Sequence, residues 1–229
     1  MILFNLANLI PNVIELKDVI IHETIVTLQM LLIAGPISLI FGLVYALLLI
    51  LFREDGLYPN KIIFTLLSFP INIIRALPFV IMLPAIFPLT RFLIGTTIGL
   101  EGSIIPLIIA TTPLFARQFE TALLEVDAGV IEAAQAMGTS NVQILYRVFL
   151  KESMPGLVRA TTITLVYLLG LTAMVGAIAG GGIGDVSLIY GLRRNWIDVI
   201  YAAIIIILII VYLIQAIGNL VLKKIERGK

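Results

Sequence analysis

Four residues in the middle of the chain, Glu132, Gly138, Arg147 and Lys151, are spaced for docking by charge and shape and not for making or breaking bonds. They lie in EVDAGVIEAAQAMGTSNVQILYRVFLKESMP, residues 125–155, a polar stretch inside an otherwise almost unbroken hydrophobic sequence. Asp127 can cap a first short helix that Gly138 ends, and Ser140 with Gln143 supplies the S-x-x-Q capping box that starts a second. On the second helix Gln143, Arg147 and Lys151 recur at i, i+4, i+8 along one side, with Val142, Leu145, Val148 and Phe149 facing away. An amphipathic hairpin of this length between membrane spans suits a docking surface; a solvated loop with ordinary caps would carry the same signals.

Other chemistry is excluded by what the residues cannot assemble. No Ser/His/Asp or Cys/His set supports an enzyme, and the absence of Cys rules out disulfides, thiolate metal sites and a lipid-modified cysteine in this chain. The single His22 has no ligand cluster around it and reads as an interfacial residue at the start of a span. No G-x-x-x-x-G-K-[ST] loop is present, so a process driven by ATP must borrow its hydrolase from another subunit. Nor does the sequence suggest a buried Asp or Glu pair of the kind that carries protons or cations through a secondary transporter. Asp198 and Glu101 stand at span borders and read as solvated.

Two features inside the spans are candidates for a pathway or a dimer seam. Arg75 is the one charge near the middle of a span, and a charge at bilayer depth must be paired or face water. It either contacts the transport route or seam, or satisfies carbonyls freed by Pro70 and Pro78. Gly170, Ala173, Ala177 and Gly180 recur at three- or four-residue spacing with Gly176 and Gly180 as a G-x-x-x-G pair, a face that lets helices approach closely. Thr161, Thr162, Thr164, Thr172 and Met174 could line a mildly polar passage beside it, or simply pack.

The elements that must position these residues are membrane helices. With 60% hydrophobic and 13% charged residues and a mean hydropathy of +1.13, the chain is an integral membrane protein. A net charge of +1 without a basic cluster argues against a nucleic-acid partner. Spans are expected over 23–52, 61–88, 103–119, 156–179 and 197–222, giving an all-α fold of five transmembrane helices with the helical hairpin between the third and fourth. The second, holding Pro70, Pro78 and Pro84, must be kinked or broken. The first residues, MILFNLANLI, lack the features of a cleaved signal peptide and are expected to stay. The whole of 1–229 reads as one transmembrane domain.

Glu132-Ala133-Ala134, then three residues, then Gly138, then nine residues, then Val148-Phe149-Leu150 resembles the EAA motif of the membrane subunits of bacterial ABC importers. Lys151 stands where that family has a proline, so here the helix can run on toward Pro155. The similarity extends through RALPFVIMLP, TRFLIGTTIGLEGSIIPLIIATTPLFARQFETALLEVDAGVIEAAQAMG, MPGLVRATTITLVYLLG and VYLIQAIGNLVL, and resembles methionine-importer permeases over nearly everything after His22. The resemblance implies a homodimer in the bacterial inner membrane with its passage on the two-fold axis. It implies two copies of a separate ABC ATPase, which carry the ATP and Mg, and an extracytoplasmic methionine-binding protein; no cofactor is expected on this chain. Coupling to the ATPase would fall to Glu132, Ala133, Ala134, Gly138, Arg147, Leu150 and Lys151. A permease for another small amino acid, a self-contained channel or secondary transporter, and a membrane scaffold are the alternatives; the last two leave the hairpin or the broken second span unexplained.

Loop charges set the orientation. Arg53, Lys61, Arg117, Arg147, Lys151, Arg159, Lys223, Lys224, Arg227 and Lys229 fall on the side of the hairpin, against Lys17, Arg91, Arg193 and Arg194 on the other. Ten against four places the hairpin and C-terminus in the cytoplasm and the N-terminus outside. A single cysteine introduced at Ser140 is therefore expected to react with an impermeant reagent only from the cytoplasmic face, and one at Ser187 only from outside. Reaction of both from one face would mean a miscounted span.

Overall fold

The computed structural model describes residues 10–178 and 180–227. Most of the opening segment expected to stay, residues 1–9, the Ala179 end of the fourth expected span and the counted Lys229 lie outside the described residues. All regular elements among the described residues are helical: α1 (Pro11–Glu15), α2 (Lys17–Phe52), α3 (Lys61–Ala76), α4 (Phe79–Ile94), α5 (Gly99–Leu124), α6 (Ala128–Ala136), α7 (Asn141–Ile144), α8 (Leu150–Glu152), α9 (Met154–Gly176), α10 (Ile183–Val186) and α11 (Ile197–Glu226). Wider π turns, Leu145–Phe149 and Ser187–Leu192, join α7 to α8 and continue α10.

Among the described residues, α2, α5, α9 and α11 are each long and apolar enough to cross a membrane. The pair α3 and α4, bent by 118°, supplies a fifth crossing if taken as one broken span. The break expected from the prolines falls at 77–78, where Leu77 adopts the extended backbone that a following proline favours. Pro70 and Pro84 are absorbed inside helices. Along α11, Tyr201, Ile205, Leu208, Ile209, Tyr212, Ile217 and Leu220 are exposed, an apolar surface that suits lipid and not water.

The chain divides into two compact units. One comprises the described residues of Met1–Gly35, Phe79–Ile108 and Val166–Leu213. Its buried centre joins Leu16, Ile20, Ile183, Val186, Val199 and Ala203. Here α9 stops at Gly176, short of the expected end, because the Val175 carbonyl accepts the amides of Ile178 (3.0 Å) and Gly180 (3.1 Å) and closes the last turn. Gly176 and Gly180 are therefore not a pair on one helix face. The chain turns through Gly181 and Gly182 at positive φ, and α2 caps the helix that follows. Glu23 Oε2 accepts from the Gly182 amide at 2.5 Å and Thr27 Oγ1 from the Ile183 amide at 2.8 Å. Ser103 Oγ donates to the Gly99 and Gly180 carbonyls at 2.7 and 3.3 Å. Gly184 lies directly against the Ala173 backbone, where a Cβ would overlap the Ala173 carbonyl.

Asp198 in this unit is not simply solvated. It accepts from the Asn12 amide (3.0 Å), Asn12 Nδ2 (2.9 Å) and the Val13 amide (3.3 Å), so it satisfies the otherwise free N–H groups at the start of α1. Glu101 is exposed as expected. His22 Nδ1 lies 3.0 Å from Glu23 Oε1. Burial first, and the Glu23 carboxylate second, push the Asp185 carboxyl above its ordinary range against the opposing pull of Arg193. Two acidic groups thus interact in a place where the sequence suggested no such pair.

The other unit comprises Pro36–Pro78, Ile109–Leu165 and the described residues of Ile214–Lys229. Its core gathers Ala46 and Ile50 of α2, Phe115, Phe119 and Leu123 of α5, and Leu157 and Ala160 of α9. Asn60 caps α3 by accepting from the Ile62 and Ile63 amides, both at 3.1 Å. Glu120 is only 7% exposed, a buried carboxylate that the sequence reading passed over. It is neutralised: Arg117 Nη1 lies 2.6 Å from its Oε2, and Arg117 Nη2 donates to Asn72 Oδ1 at 2.9 Å. The Gly184 contact leaves no room for a side chain. Gly184→Val is expected to lower the thermal midpoint of the detergent-solubilised chain, at a cost of about 1–3 kcal/mol; an unchanged circular-dichroism melt would mean the helices separate freely there.

Candidate functional site

The hairpin forms as its local signals dictate. Asp127 accepts from the Gly129 amide at 2.7 Å and starts α6. At the far end the Gly138 amide donates to the Gln135 carbonyl (2.9 Å) and the Thr139 amide to the Ala134 carbonyl (3.1 Å), a complete Schellman motif. Gly138 has φ +75°, which a residue with a Cβ adopts only at a cost. Ser140 and Gln143 form the reciprocal capping box, with Gln143 N to Ser140 Oγ at 3.4 Å and Ser140 N to Gln143 Oε1 at 3.3 Å. Asn141 Nδ2 donates to the Leu57 carbonyl at 3.2 Å and ties the turn to the loop before α3.

Ala134, Ile144 and Phe149 are buried in the core of this unit, with Ile131, Leu145, Val148 and Leu150 packed partly against it. Val142, expected on that inward face, is instead 64% exposed, and Ile144 is fully buried. The π turn explains the exchange. Residues five apart are rotated by about 140° on an α-helix, but an i→i+5 turn brings them to one side. The Leu150 amide donates to the Leu145 carbonyl in this manner, so Ile144 and Phe149 share the buried face. Outward stand Glu132, Ala133, Arg147 and Lys151, together with Met137 (78% exposed), Val142 and Tyr146. The Arg147 guanidinium lies 5.6 Å from the Tyr146 ring centroid. Reading the second helix as regular hid Val142 as a member of this surface, and Met137 and Tyr146 were not assigned to it. The helix does run on past Lys151 to Glu152, with a single-residue break at Ser153 before α9.

The pathway candidates do not share one face. Arg75 is exposed in the last turn of α3 and makes no hydrogen bond to the described protein, so it does not satisfy carbonyls freed by the prolines. Gly170, Met174 and Ala177 are exposed, in line with Tyr167. Gly176 and Gly180 are buried and Ala173 is half-buried, with Ala173 and Gly176 close to the α10 backbone. The threonines offer no free donors: Thr161, Thr162 and Thr164 donate to the carbonyl four residues back at 2.8–3.0 Å, and Thr172 to Leu169 at 2.7 Å. The hydroxyls of Ser38, Ser68, Thr111 and Thr112 are buried without a partner among the described residues.

Residues 38–228 match the model of the family described as binding-protein-dependent transport system inner membrane component. The chain belongs to this family. Within the inner membrane component family it is 37% identical, over 92% of its length and 93% of the relative's, to the probable D-methionine transport system permease protein MetI of Vibrio cholerae. It is 40% identical, over 79% of its length and 81% of the relative's, to the methionine import system permease protein MetP of Bacillus subtilis. A solved structure of the MetNI methionine ABC transporter in an inward-facing conformation superposes with a TM-score of 0.90 at 36% identity, covering 92% of this chain and 98% of that one. Membership makes the chain a multi-pass inner membrane component of a transport system.

In this family member the geometry of the turn sets its sensitivity. An added Cβ at Gly138 meets no atom within 4 Å, so only the positive φ resists substitution. Gly138→Val is expected to cost about 1–2 kcal/mol and Gly138→Asn much less. Hydrogen exchange at the Gly138 and Thr139 amides should accelerate in the first variant and stay near the parent in the second.

Proposed function

We propose that this chain is the membrane-spanning subunit of an ATP-driven methionine importer, acting over its whole length as one transmembrane permease domain. Two copies enclose the passage on a two-fold axis, and two copies of a separate ABC ATPase bind and hydrolyse MgATP. An extracytoplasmic binding protein delivers the amino acid. The chain itself performs no bond chemistry and holds no cofactor. Its N-terminus lies outside and its C-terminus in the cytoplasm.

The observation that carries this reading is the two-sided hairpin, with Ala134, Ile144 and Phe149 anchored in the span core and Glu132, Met137, Val142, Tyr146, Arg147 and Lys151 projecting outward. A free anion, two cations and exposed apolar side chains on one capped hairpin suit a protein cleft better than water. Gly138 fixes the angle between the two helices, and Ala133 and Leu150 flank the contact. Methionine as cargo is supported by the names of the relatives. The exposed line Gly170, Met174 and Ala177, together with Arg75, is assigned to the passage or the seam between copies, and Ala173, Gly176 and Gly180 support it from behind. The pairing of Glu120 with Arg117 disfavours a proton-carrying role for that carboxylate.

Reconstituted with its ATPase and binding protein, the chain is expected to accumulate methionine only when ATP is present on the hairpin side. Alone in liposomes it should accumulate none under a proton or sodium gradient, and gradient-driven uptake would overturn the reading. Glu132→Lys should weaken assembly with the ATPase by about tenfold, the worth of one charge-assisted contact, while membrane insertion stays intact.

A further inference from the structure

Helices α9 and α11 leave a groove of about 230 Å³ between them that the transport reading does not use. Its floor is the close approach of Gly218 to Thr162, and its walls are apolar, from Val158, Ile163 and Leu222. Two polar side chains interrupt this lining. Arg159 stands on the rim, 59% exposed, and spends one contact on Glu226 Oε1 at 3.2 Å, which leaves most of its five donors free. Asn219 is exposed on a membrane-spanning helix, and its amide has no hydrogen-bond partner among the described residues.

An amide beside hydrocarbon without a partner is costly, so Asn219 calls for a polar group at that depth. Lys223 follows it at i+4 and therefore lies one turn further along the same face. Lys223, Lys224 and Arg227 form no ion pair among the described residues, so the last turns of α11 add three unpaired cations to Arg159, whose described ion pair is with Glu226. Cations at the helix ends, an amide one turn deeper and apolar walls beyond match, in that order, the phosphate, the ester carbonyls and the acyl chains of a phospholipid. A free inorganic anion would use only the first of these.

We propose that this groove binds one anionic phospholipid of the leaflet on the hairpin side. Its phosphate rests on Arg159 and Lys223, an ester carbonyl accepts from the Asn219 amide, and an acyl chain runs along Ile163.

The test uses the full-length chain, delipidated in detergent and titrated with phosphatidylglycerol or with phosphatidylcholine of the same acyl chains, with bound lipid counted by native mass spectrometry. Phosphatidylglycerol is expected to be retained about tenfold more tightly. Asn219→Leu should weaken retention of both lipids, and Lys223→Gln should remove the preference for phosphatidylglycerol, each with an unchanged thermal midpoint before lipid is added. Equal retention of the two lipids, or variants indistinguishable from the parent, would overturn the proposal. Displacement of the lipid by millimolar inorganic phosphate would overturn it in favour of a free anion. An Asn219→Cys chain that cross-links to a second copy on oxidation would overturn it by showing the groove covered in the dimer.

Discussion

A helix end beside hydrocarbon exposes amide groups that lipid cannot satisfy, and the arrangement of this protein follows from where those amides find acceptors. Glu23 and Thr27 of α2 accept from the first amides of α10. Asp198 of α11 does the same for α1, and Asn60 does it for α3 from its own N-cap position. In the first two cases the acceptor comes from a distant part of the sequence. The polar side chains that a hydropathy reading treats as border residues are thus the groups that let the chain turn at all. Removing Glu23, Thr27 or Asp198 would strand partly or fully buried backbone donors, a cost of about 1–3 kcal/mol for each.

The hairpin was legible in the sequence because its instructions are local. Asp127, Gly138, Ser140 and Gln143 act within a few residues of themselves, and each makes the bond its type and spacing imply. The number and order of the apolar helices were legible for a similar reason, since about twenty apolar residues have few alternatives in a bilayer. Three things were not. The stop of α9 at Gly176 depends on the Val175 carbonyl being taken by later amides. The outward turn of Val142 depends on one π turn that no residue type announces. The Arg117–Glu120 pair is an i,i+3 contact within α5 that spacing alone could have shown, but its burial and its tie to α3 depend on Asn72 meeting Arg117 across two helices. Regular periodicity and nearest-neighbour chemistry have no access to any of these dependencies.

The small residues of α9 illustrate how a correct observation can carry more than one meaning. Their spacing signals close approach, and close approach occurs, but Ala173 and Gly176 spend it on α10. Only Gly170, Met174 and Ala177 remain exposed for anything outside the chain. A stripe of small residues records that backbones meet; it does not record which backbones.

Ser153 gives the hairpin its mechanical character. It is buried, its amide and hydroxyl both donate to the Phe149 carbonyl at 3.0 and 2.6 Å, and its own carbonyl accepts from Leu157 at 2.8 Å. The hairpin and α9 are therefore joined with no slack. A flexible linker would absorb a small pull as stretching, whereas a hydrogen-bonded joint one residue long transmits it as torque on the first turn of α9. Stiffness at this point sets how directly a displacement of the hairpin would be passed to the start of α9.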